Sequence, residues 1–143
     1  MPYEFLDEIA IADVAFRAWG RDLPEVFTSA ADATLNVMVQ DLGSIEPKER
    51  REIVLENEAP DMLLFDFLQE LIYYKDAERL LLRVPHLEIH ESEGKYHLRA
   101  EAVGEELDPL RHEQGVDVKA VTLHRFSLER DKGGWTTHII LDI

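Results

Sequence analysis

The chain has 143 residues, no cysteine, and 30 acidic against 15 basic side chains, a formal net charge of −15. A chain of this length buries about two-thirds of its unfolded surface and needs neither disulfide nor metal to fold as a single domain, residues 1–143, while the missing cysteine excludes thiolate metal sites and thiol nucleophiles. The averaged field of so acidic a chain repels phosphate backbones and anionic membranes, so no direct nucleic-acid or membrane binding is expected and a partner with a basic surface suits it better.

No apolar run approaches about 18 residues, and the opening Met1-Pro2-Tyr3-Glu4-Phe5 lacks the basic-then-apolar pattern of a signal peptide. A cytoplasmic location is therefore expected. In chain order, the first candidate strand is the mostly apolar stretch Ile9 to Phe16, interrupted by Asp13. Asp22-Leu23-Pro24-Glu25 then offers an N-cap, a proline in the first turn and an early acid, and Val26, Phe27, Ala30, Ala31, Thr34, Leu35 and Met38 follow at helical spacing, which predicts a helix to about Val39. Arg51 to Glu58 alternates as a short strand. From Pro60 the period changes, and Met62, Leu63, Leu64, Phe67, Leu68, Leu71 and Ile72 make a wide apolar stripe that predicts a second helix ending near Asp76 or Ala77.

The remaining half reads as strands. Leu80 to Glu91 contains Pro85, which predicts an edge or bulged strand, and Glu91-Ser92-Glu93-Gly94 turns it into Lys95 to Glu101. Val118 to Leu128 alternates in turn, and Asp131-Lys132-Gly133-Gly134 leads into the run Trp135 to Ile143. Helices in the first half and hairpins in the second predict an α+β domain, with two helices on one face of a mostly antiparallel sheet.

In the final strand Trp135, Thr137, Ile139, Leu141 and Ile143 share one face, and Thr136, His138, Ile140 and Asp142 the other. If the first and last strands are neighbours, the carboxylates of Asp13, Asp142 and the Ile143 chain end meet. Such a set repels itself unless a cation neutralises it, and all-oxygen donors suit calcium, magnesium or manganese; alternatively the two aspartates only cap and solubilise strand ends.

No phosphate-cradling glycine loop, nucleophile elbow or His-Glu-x-x-His pair is present, which argues against a stand-alone catalyst. Six histidines lie in the strand half, and two of them can approach each other across a hairpin. His124 shares a predicted face with Val118 and Phe126, so partial burial with a specific partner is expected. Lys119 either extends its ammonium to water or, if its strand pairs with the terminal one, counters the carboxylates.

Ala12-Asp13-Val14, Phe16, Gly20, a helix opening near Leu23, Gly104, Asp108, Arg111-His112, Val118-Lys119-Ala120-Val121-Thr122-Leu123-His124 and the terminal Asp142-Ile143 follow one another in an order that resembles the archease family over nearly the whole chain. The resemblance implies a non-enzymatic activator of the GTP-dependent RNA ligase of tRNA splicing or RNA repair, promoting ligase guanylylation and multiple turnover. It also implies a compact α+β domain with an inserted strand-helix-strand-strand module, and a divalent metal ion, calcium or else magnesium or manganese, as cofactor. The family's metal ligands fall on Asp13, Asp142 and Ile143, its activating positions on Asp13, Lys119 and Asp142, and His124 and His112 are candidates for hydrogen-bonded support of that site. Two departures stand out: the family has His-Thr before Ala-Asp where this chain has Ala10-Ile11, and tyrosine before the signature histidine where this chain has Leu123. The first removes a polar neighbour of Asp13, the second only a hydroxyl. Competing readings are a small metal-dependent hydrolase using the same carboxylates, with His124 or His138 as base, and an acidic chaperone or scaffold.

Overall fold

The structure, a computed structural model, describes residues 2–6 and 13–143. The candidate strand residues Ile9 to Ala12, with the Ala10-Ile11 departure, lie outside the described residues. Among the described residues seven strands and two α-helices follow in the order β1 (Tyr3–Leu6), β2 (Asp13–Gly20), α1 (Leu23–Met38), β3 (Glu49–Asn57), α2 (Pro60–Glu78), β4 (Leu80–Ser92), β5 (Lys95–Glu106), β6 (Ala120–Asp131) and β7 (Gly134–Asp142). All pairings are antiparallel. The strands divide into a four-stranded sheet, ordered β1-β2-β7-β6, and a three-stranded sheet, ordered β3-β5-β4. The second sheet with α2 is the strand-helix-strand-strand module, β3-α2-β4-β5.

Local chemistry accounts for the helix bounds. The Asp22 carboxylate accepts from the Glu25 N–H at 2.9 Å and Pro24 sits in the first turn of α1, so the helix starts where the sequence predicts. For α2 the entry is different: Asn57 Oδ1 accepts from the Ala59 N–H at 3.1 Å, Pro60 begins the helix, and Arg79 ends it in the left-handed region, φ 56°.

Both helices pack against both sheets, α1 on β2, β7 and β4, and α2 on β3, β4, β5 and β6. Phe27 of α1 stacks on Phe67 of α2 with ring centroids 5.8 Å apart, and both are wholly buried with Phe16, Leu98, Ile139 and Leu141 from the two sheets. Each such side chain contributes about 1.5–3 kcal/mol by leaving water, so this shared core is what holds the two sheets together.

The proline-containing strand β4 is both an edge and irregular, its register shifting between Arg83 and His86. β1, which periodicity alone does not reveal, adds to β2. The predicted unbroken alternation from Val118 to Leu128 fails, because the β6 register shifts between Thr122 and Ser127 and Arg125 adopts φ 54°.

Candidate metal centre and the signature block beside it

The central pairing of the four-stranded sheet runs from Gly20 opposite Trp135 to Asp13 opposite Asp142. The two aspartates are thus directly facing residues of adjacent strands, and side chains so related have Cβ atoms about 4.5–5.5 Å apart. Both are half-buried, as is Ile143. β6 completes the row: Ala120 faces Asp142 from the other side, and the Lys119 N–H donates to the Asp142 carbonyl at 2.8 Å. The first residue of β2, the last of β7 and the signature block therefore meet at one end of one sheet. Among the described residues no set of three His, Asp or Glu side chains converges on a common point. A hard cation at this end would have to take two side-chain carboxylates and complete its shell with main-chain oxygen or water, a donor set that fits calcium, magnesium or manganese by chemistry.

The block carrying Lys119 is held from behind by α2. Lys75, with its side chain only 10% exposed, donates from Nζ to the Val118 carbonyl at 2.7 Å and to Asp117 at 2.6 Å, and also pairs with Asp76. Burial opposes the charge on this ammonium, but the hydrogen bonds to Asp117 and Asp76 outweigh it and raise its pKa. Gln69 Oε1 accepts from the Val121 N–H at 2.8 Å. Among the described residues β6 is an edge strand, and a side chain of α2 satisfies this N–H. Neither Gln69 nor Lys75 carries a local signal that sequence reading could use for these ties, since their main-chain partners lie 52 and 43 residues away.

The two histidines expected near the site are placed otherwise. His124 is exposed, not partly buried, because the register shift takes it out of the alternation. His112 is buried, 2% exposed, in a separate cluster: Nδ1 accepts from the Asp108 N–H at 2.8 Å, and Nε2 lies 3.2 Å from Glu105 Oε2. Among the described residues neither ring hydrogen-bonds Asp13 or Asp142. Glu105, itself 4% exposed, is also bound by Arg111 and by the Glu46 N–H at 2.6 Å. Burial by itself would raise the Glu105 pKa, yet these donors and the Arg111 charge hold it down to about 2. Lys119 is exposed.

Comparison with known proteins agrees with this architecture. The sequence model of the archease protein family (MTH1598/TM1083) matches residues 3–143. The archease of Pyrococcus abyssi is 38% identical over 133 residues, covering 92% of this chain and 93% of that protein, and the archease of Methanosarcina acetivorans is 37% identical over 144 residues, covering 99% and 95%. The solution structure of Methanobacterium thermoautotrophicum protein 1598 superposes with a TM-score of 0.85 at 36% identity, covering 99% of both chains. A Thermotoga maritima crystal structure, described as an archease and possible chaperone, shares the fold at a TM-score of 0.66 and 20% identity, with 98% of each chain covered. The chain belongs to the archease family. Among the described residues, no helix is long and apolar enough to cross a membrane.

Proposed function

We propose that this protein is a non-enzymatic activator of a GTP-dependent RNA ligase, and that Asp13, Asp142 and a main-chain oxygen of Ile143 hold a divalent cation beside Lys119. The observation that carries the reading is the register itself: two carboxylates face each other across β2 and β7 in the row that also anchors Lys119. Like charges directly opposite one another destabilise a strand pair, so the arrangement has a cost that cation binding would offset. Bound there, a hard ion would supply positive charge for phosphate oxygens. The chain's own contribution is to fix two carboxylates on paired strands, with little motion left to freeze on binding, and to hold Lys119 by a main-chain bond. A net charge of −15 suits docking on the basic surface of an RNA enzyme, and not RNA itself.

The test is multiple-turnover RNA ligation by the cognate ligase, with and without this protein. Stimulation is expected with the wild-type chain and a marked loss with Asp13→Ala, Asp142→Ala or Lys119→Ala, each at unchanged secondary structure. Ligation that proceeds equally well without the protein overturns the reading. A parallel hydrolase screen and an aggregation-suppression assay decide between the alternatives of a metal-dependent hydrolase and a chaperone.

A further inference from the structure

The outer face of the three-stranded sheet carries two histidines and a glutamate in one cross-strand row. His97 of β5 lies directly opposite Glu56 of β3 on one side and His90 of β4 on the other. The neighbouring row, Leu55, Leu98 and Ile89, packs on the core, so strand alternation turns Glu56, His97 and His90 together towards solvent. The imidazoles of His90 and His97 already stack, ring centroids 5.0 Å apart and planes inclined by 15°, and His97 Nδ1 is 3.5 Å from Glu56 Oε2. As they lie, the rings are parallel and the three groups do not converge. Convergence requires rotation about side-chain bonds on a backbone fixed by strand pairing: His90 and Glu56 are exposed and free to turn, and half-buried His97 would release the Ser92 carbonyl, 3.4 Å from its Nε2.

We propose that His90 and His97, with Glu56 as third donor, form a surface site for zinc or a similar borderline divalent ion. Two imidazoles and a carboxylate are a set that zinc takes in tetrahedral coordination with water in the fourth position, whereas calcium and magnesium take oxygen donors. The site is therefore chemically distinct from the Asp13–Asp142 end, which lies on the other sheet. Lys95, 3.8 Å from Glu56, is the charge that the metal would displace. Because the three donors come from three strands, the ion would bind only the folded sheet and so raise its stability by mass action.

The experiment uses the full, untagged protein titrated with zinc chloride by calorimetry, with thermal melts in zinc and in chelator and nitrogen-15 spectra of the histidine rings. Wild type should bind zinc and melt higher with it, with shifts confined to the rings of His90 and His97. His90→Ala and His97→Ala should each weaken binding by at least about tenfold while melting as wild type in chelator. Glu56→Gln should weaken it less, and His86→Ala should titrate as wild type. The inference is overturned if zinc leaves the melting temperature and ring signals of the wild type unchanged, or if the His90 and His97 variants bind zinc as well as it does.

Discussion

Replacing Gln69 by leucine tests whether α2 holds the signature block in place. The change keeps the side chain's approximate volume but removes the acceptor of the Val121 N–H, whose residue is only 5% exposed and whose bond is 2.8 Å. A buried donor left without a partner costs about 1–3 kcal/mol, of which water entry at the β6 edge can recover a part. Taking about 2 kcal/mol, and about 2–4 °C per kcal/mol for a domain of roughly this size, Gln69→Leu should melt about 4–8 °C below wild type. The effect should be local as well as global. Amide hydrogen exchange at Val121 should be slow in the wild type and selectively faster in the variant, while amides of the Phe27–Phe67 core keep their relative protection. A variant that melts with the wild type, or a Val121 amide that already exchanges freely in the wild type, would refute the tie between helix and block.

Lys75→Met, which leaves the Val118 carbonyl and Asp117 without their ammonium, should likewise lower the melting temperature and, combined with Gln69→Leu, give less than the sum of the two losses because both changes free one segment; strict additivity in denaturant titrations would mean that the two ties act independently. Glu105 has a folded-state pKa depressed to about 2, so its contribution is fully present above the unfolded carboxylate value near 4.5 and is lost as pH falls from there towards 2. Glu105→Gln should accordingly be less stable than wild type at pH 7, with the gap narrowing at pH 3 in urea titrations, and a gap independent of pH would contradict the ion-pair origin. Gly104→Ala would put a Cβ 1.7 Å from the Leu81 carbonyl oxygen and force β4 from β5, at a cost of at least about 2 kcal/mol, whereas Gly133→Ala, whose nearest new neighbour is 3.6 Å away, should stay within about 0.5 kcal/mol; equal melting temperatures for the two would show that the sheet yields at Gly104 without cost.

By itself the sequence determined what short-range physics writes into it: the two helices through capping and 3.6-residue periodicity, the two hairpins through turn residues, and the division of the last strand into two faces through alternation. The pairing of Asp13 with Asp142 was legible only as a condition, namely that the terminal strands be neighbours. Register between strands from opposite ends of the chain depends on which surfaces the core brings together, and only the folded structure meets that condition. The same holds for the division of the strands into two sheets, which follows from helices that bury apolar side chains on two sides at once. It holds also for Gln69 and Lys75, polar residues on an amphipathic helix whose partners are main-chain groups far along the sequence. The alternation that predicted a partly buried His124 was broken by the β6 register shift, and the adjacent pair Arg111-His112 gave no sign that both bind Glu105. Local pattern fixes the elements, whereas partner, register and the satisfaction of buried polar groups are properties of the assembled core.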